Sequence, residues 1–97
     1  MTIAFDIDGT WDRDPQLFID VASMFRDEKW TIVIVTGREQ PADKLGRLGL
    51  LDFPIVVSGP LLKEQAALKA GYKVDVWVDD MPGVIQDCKI LQPSDDL

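Results

Sequence analysis

The stretch "IAFDIDGTW", residues 3–11, decides how this chain is read. It opens with strand-forming residues and ends by placing Asp6 and Asp8 one residue apart, followed by Gly9 and Thr10. Alternation along an extended chain puts both carboxylates on one side of the strand end, with Ile7 on the other. Two acids so placed repel each other, so the pattern asks for a cation between them.

The rest of the chain repeats the theme. "WTIVIV", residues 30–35, is apolar on both faces, as expected of a parallel strand covered by helices, and runs into Thr36-Gly37-Arg38. "FPIVVSG" reads as a short third strand, and "VDVWV", residues 74–78, as a fourth that ends at Asp79-Asp80. Between strands the period changes. Asp14 is a suitable N-cap and Pro15 a suitable first helical residue, and Leu17, Phe18, Val21, Ala22, Met24 and Phe25 are expected on one helical face. "PADKLGRLG" and "LLKEQAALKAG" read as two further helices closed by glycine. "PGVIQD" is expected to form a last helical turn, "CKIL" a short fifth strand, and "QPSDDL" a frayed end with Asp95 and Asp96 solvated.

Strands alternating with helices predict an α/β fold: one domain over residues 1–97, three-layered and Rossmann-like, with a mainly parallel sheet of about five strands. In such a sheet ligands bind at the carboxyl edge. The polar residues collect there: Asp6 and Asp8 after the first strand, Thr36, Gly37 and Arg38 after the second, Asp79 and Asp80 after the fourth. The acids converge if the first and fourth strands are neighbours. Oxygen ligands without His or Cys suit a hard ion, most naturally Mg²⁺. Thr36 and the backbone N–H groups around Gly37 suit phosphate oxygens, and Lys63 is placed to reach them.

Composition narrows the field. The 97 residues include no histidine, which removes His-based zinc sites and His general bases, and a single cysteine, Cys88, which cannot close an internal disulfide. Cys88 reads as a buried small hydrophobe, and no arginine-bearing phosphate loop follows it. A cytoplasmic location is expected from the cysteine usage and the lack of a visible signal peptide. No apolar stretch approaches a membrane span. The net charge of −7 argues against a broad grip on nucleic acid.

The order Asp-x-Asp-Gly-Thr, hydrophobic strand with Thr-Gly-Arg, Lys, hydrophobic strand with Asp-Asp closely resembles the haloacid dehalogenase superfamily of phosphohydrolases, from residue 3 to about residue 83. The resemblance implies a Mg²⁺-dependent phosphomonoester hydrolase acting through an aspartyl-phosphate. Asp6 would be the nucleophile, and Asp8 the acid that protonates the leaving oxygen and then the base that activates water. Thr36 would bind a phosphoryl oxygen and Lys63 would offset charge. Thr10, Gly37 and Arg38 would support carboxylates and substrate. Asp6, Asp8 through its backbone carbonyl, and the Asp79-Asp80 pair would hold the metal, with Asp80 favoured over Asp79. Lys69 and Lys73 compete with Lys63, but the first sits further along its helix and the second points away from the carboxyl edge.

Two other patterns fail. A calcium-binding helix-loop-helix would need Gly and Glu where counting from Asp6 gives Trp11 and Leu17. A response-regulator receiver domain carries its acid pair first, whereas here an acid pair also closes the set. The resemblance is to the minimal, uncapped members, since neither interval has room for a cap domain. The site is therefore expected to be open, suiting a small phosphoester, a macromolecular phosphate end, or a partner, such as a second copy, that covers it. Trp11 stands where the family carries a smaller aliphatic residue, so a differently shaped flap region is expected at the place where an uncapped member would meet its substrate, and the role of Trp11 is left open. Two alternatives remain at this point: a non-catalytic module of the same fold that binds metal or phosphate, and a nucleic-acid-end phosphatase.

Overall fold

The computed structural model describes residues 1–86. The proposed fifth strand, Cys88 and the acidic C-terminal residues lie outside that range. Among the described residues four parallel strands form the sheet: β1 (Thr2–Phe5), β2 (Thr31–Thr36), β3 (Ile55–Val57) and β4 (Val76–Val78), in the spatial order β3-β2-β1-β4. The helices α1 (Pro15–Asp27), α2 (Ala42–Arg47) and α3 (Lys63–Lys69) connect them, with short 3₁₀ turns at Trp11–Arg13 and Pro82–Val84. No helix among the described residues is long and apolar enough to cross a membrane.

The central strands are buried on both faces, which explains their unbroken apolar runs. Ile3, Phe5, Ile32 and Ile34 face one cluster, shared with Phe18 and Ala22 of α1 and with Leu48, Leu50 and Phe53. Ala4, Val33 and Val35 face the other, with Ala67 of α3, Tyr72 and Trp77. Helices thus cover both faces. The chain runs outward from β1 through β2 to β3, then returns through α3 to place β4 on the free side of β1. In a sheet of this kind that change of direction opens a crevice at the carboxyl ends of the two strands.

Local sequence explains where α1 begins. Asp14 accepts a hydrogen bond from the Leu17 N–H at 3.3 Å, and Pro15 occupies the first helical position. Its buried stripe is narrower than the sequence predicts. Phe18, Val21, Ala22 and Phe25 pack inward, spaced at i, i+3, i+4 and i+7, but Leu17 and Met24 are 51% and 68% exposed. These two are seven residues apart and share a flank of the helix that the sheet does not reach.

The role of Trp11, open in the sequence, is structural. It is fully buried, edge-on to Phe5 (5.4 Å between ring centroids) and stacked on Phe18 (5.7 Å), and it also contacts Phe53. Its indole Nε1–H donates to the Leu48 carbonyl at 2.7 Å. This large side chain is therefore accommodated inward, pinning the loop after β1 to the end of α2. Trp11→Phe is expected to cost on the order of 2–4 kcal/mol, from the unsatisfied Leu48 carbonyl and lost packing, in urea unfolding followed by circular dichroism.

Candidate functional site

The convergence anticipated from the strand ends occurs because β1 pairs directly with β4, Phe5 lying opposite Val78. The Asp6 N–H continues that ladder to the Val78 carbonyl at 3.0 Å, so Asp6 and Asp79 leave the sheet side by side. Lys63, the first residue of α3, reaches between them. Its Nζ donates to Asp6 Oδ1 and to Asp79 Oδ2, each at 2.7 Å, and both ion pairs are buried. Lys69 and Lys73 are exposed on the surface.

Asp6, Asp79 and Asp80 each offer a carboxylate oxygen within 4.8 Å of the others. Two acids share one buried ammonium and a third lies beside them, so negative charge is in excess, and the donor set is all hard oxygen. Oxygens on a common Mg²⁺ lie about 3–4 Å apart, so the cluster needs only slight closing to hold a divalent cation. The two Asp-Asp positions differ. Asp79 has both oxygens engaged, Oδ2 by Lys63 and Oδ1 by the Met81 N–H at 2.8 Å. Asp80 accepts through Oδ1 from the Thr10 hydroxyl at 3.4 Å, and its Oδ2 lies over Gly9. A Cβ on Gly9 would stand 2.3 Å from that oxygen, and Gly9 has φ +84°. The positive φ favours glycine, and any side chain there would displace the Asp80 carboxylate.

Asp8 faces other partners. Lys44 Nζ donates to its Oδ1 at 3.0 Å, and Gln40 Nε2 (3.0 Å) and Arg38 Nε (3.3 Å) donate to its Oδ2. Its side chain does not belong to the three-acid cluster. Burial pushes the Asp8 carboxyl up, but the hydrogen bonds from Lys44, Arg38 and Gln40 outweigh it and hold the group below its usual 3.8. Asp6 moves the other way, to about 6: burial raises it, Lys63 pulls it down, and the neighbouring Asp79 charge raises it again.

Asp6, Asp8, Lys63 and Asp79 border a cleft of about 490 Å³, with Gly37 and Arg38 along another side. Thr10 and Thr36 are buried and are not among the cleft-lining residues. The Thr10 hydroxyl is given to Asp80, while that of Thr36 donates to the Arg38 carbonyl at 3.2 Å and accepts from Gln40 at 3.4 Å. The Thr10 hydroxyl thus supports a carboxylate, as the sequence reading has it, and the Thr36 hydroxyl is turned to its own loop. They brace the residues that border the cleft. Trp11, in the core, is likewise removed from it.

Sequence reasoning missed Gln40, Lys44, Ser58 and Gly59. The last two line the cleft and directly follow β3, so the carboxyl-edge rule that selected the ends of the other strands applied to them equally. Gln40 and Lys44 carried no comparable signal, because their role depends on α2 folding back toward Asp8.

Comparison with known proteins finds no match to the chain among family models, curated proteins or solved structures. Fold and site define an α/β protein with a carboxylate-lined crevice at the junction of β1 and β4.

The raised Asp6 carboxyl has a consequence for stability. A folded-state value of about 6 against 3.8 means the fold favours the protonated group, so its contribution is fully present below about pH 4 and is lost as pH rises through 6. Asp6→Asn mimics the neutral form. In metal-free buffer it is expected to stabilise the protein by on the order of 2–3 kcal/mol at pH 7.5, with the gain vanishing toward pH 4, as read by urea unfolding at both pH values.

Proposed function

We propose that this chain is a phosphomonoester hydrolase of the haloacid dehalogenase type, with a Rossmann-like core, no cap domain and a requirement for Mg²⁺. The observation that carries this reading is the junction of β1 and β4, where Lys63 pairs with Asp6 and Asp79, Asp80 joins those two acids, and Asp8 lines the same cleft. The parallel sheet brings the strand ends to one edge, but not a buried lysine between two acids with a third acid beside them. A shared chemistry accounts for it.

In this reading Asp6 attacks phosphorus and carries the phosphoryl group as an acyl phosphate until water releases it. Lys63 holds Asp6 in place and offsets negative charge on the incoming phosphoryl oxygens. Asp6 and Asp80 would hold Mg²⁺, with the Asp8 backbone carbonyl, while Asp79 fixes Lys63 and the turn at Met81. The ion supplies charge neutralisation during transfer and lowers the affinity of Asp6 for a proton. Asp8 delivers a proton to the leaving oxygen, then accepts one from the attacking water. An anionic substrate that draws Arg38 and Lys44 away from Asp8 raises the proton affinity of that carboxyl at the moment an acid is needed. Gly37 and Arg38 border the space for the phosphoryl oxygens. Thr36 holds the backbone of that loop, and its hydroxyl can turn from the Arg38 carbonyl to a substrate oxygen.

One observation favours a second reading, a module that binds metal or phosphate without turnover. Three donors hold Asp8 as a carboxylate in the resting state, which suits a base better than an acid. The two readings separate on turnover. Hydrolysis of 4-nitrophenyl phosphate is expected only with Mg²⁺, and Asp6→Asn is expected to reduce it at least a thousandfold. Activity that survives Asp6→Asn, or absence of hydrolysis across a broad phosphoester panel, would refute the enzyme. A panel including 3′- and 5′-phosphorylated oligonucleotides also tests the nucleic-acid-end alternative, for which a preference over small esters is required.

Gly9→Ala probes the metal site independently of turnover. The new methyl cannot coexist with Asp80 in its present position. Mg²⁺ affinity by titration calorimetry is expected to fall at least tenfold, with the fold retained by circular dichroism.

A further inference from the structure

The phosphoester reading uses the charged part of the cleft and leaves an apolar part unassigned. Leu61, Met81 and Val84 line the same cleft as Asp6 and Lys63, yet they are 38%, 59% and 38% exposed. They come from two segments, the loop after β3 and the 3₁₀ turn after β4. Each segment is closed on itself: the Leu61 N–H donates to the Ser58 carbonyl and the Val84 N–H to the Met81 carbonyl, both at 3.1 Å. The two are then tied together, since the Glu64 N–H at the start of α3 donates to the Ile85 carbonyl at 3.0 Å. The apolar side chains therefore stand on fixed backbone, continuous through α3 with the lysine that meets Asp6.

Exposed apolar surface beside a polar centre gains free energy when an occupant covers it. The charged residues of the cleft are assigned to the phosphoryl group and its metal, the Ser58 hydroxyl is given to the Thr36 carbonyl at 3.4 Å, and none of Leu61, Met81 or Val84 offers a side-chain hydrogen bond to a sugar hydroxyl or a counter-charge to a second ionic group. Met81, unbranched and polarisable, adapts to flat or chain-like apolar shapes. A volume of about 490 Å³ suits a small molecule rather than a phosphate alone.

We infer that, given the phosphoester reading, the substrate is a phosphomonoester whose leaving group is an apolar alkyl or aryl alcohol packed against Leu61, Met81 and Val84, in preference to a polyhydroxylated one. Selectivity then resides in the two turns that flank the carboxyl edge, and the phosphoryl chemistry stays common to all substrates.

Two phosphonates that cannot be hydrolysed separate this inference from turnover: 2-phenylethylphosphonate and 2,3-dihydroxypropylphosphonate, titrated by calorimetry in saturating Mg²⁺. The phenylethyl compound is expected to bind about tenfold tighter, the return on burying on the order of 60 Å² of apolar surface, and with the more negative heat-capacity change. Leu61→Asn combined with Met81→Asn is expected to narrow the ratio to about twofold. Equal or reversed affinities in the unsubstituted protein would overturn the inference, as would a ratio untouched by the paired substitution in a folded variant. Failure of both phosphonates to bind would overturn it together with the phosphoester reading. The predicted ratio without hydrolysis of any ester would sustain the apolar subsite and remove the enzyme.

Discussion

A buried ammonium between two carboxylates is the constraint on which the rest of this structure depends. Lys63 meets Asp6 and Asp79 at 2.7 Å each, with little of any of the three side chains in contact with solvent. Desolvating such charges costs several kcal/mol per ion, and only close, well-aligned partners offset it. The interaction locks the first turn of α3 to the ends of two adjacent strands. It also leaves a surplus of negative charge, because Asp80 joins the same cluster. The raised Asp6 carboxyl follows chiefly from burial, which Lys63 partly offsets and the neighbouring Asp79 charge reinforces.

The sheet order makes this arrangement possible. With β4 returned to the free side of β1, two acidic strand ends emerge next to each other and a helix from the opposite face supplies the cation. Gly9 lets Asp80 approach the backbone after β1 more closely than any side chain would allow. Trp11, two residues further on, anchors the same loop into the core through Phe5, Phe18 and the Leu48 carbonyl. A loop fixed at that point keeps the Asp6 and Asp8 positions from drifting apart as the charged groups around them rearrange.

Much of this was legible in the sequence, for reasons that differ by residue. Unbroken apolar runs at β1 and β2 mark strands buried on both faces, and Asp14-Pro15 marks a helix start through backbone chemistry alone. The acids at the strand ends could be assigned to one edge because parallel strands all finish on the same side. Lys63 could be preferred over Lys69 and Lys73 by its place in the helix. Other features depended on tertiary packing. Periodicity could not tell that Leu17 and Met24 fall beyond the reach of the sheet, nor that a tryptophan after the acidic motif would turn inward. The attachment of Gln40 and Lys44 to Asp8 arises from loop and helix placement that no local pattern encodes.

The central claim is that Asp6 is a nucleophile poised beside a divalent cation and a fixed lysine. Fluorine NMR of the protein with beryllium fluoride addresses it most directly, since the fluoroberyllate group on a carboxylate imitates an acyl phosphate. The account predicts a bound resonance that forms only with Mg²⁺ and disappears in Asp6→Asn. Absence of any bound resonance at saturating Mg²⁺, or one that persists in Asp6→Asn, would contradict it.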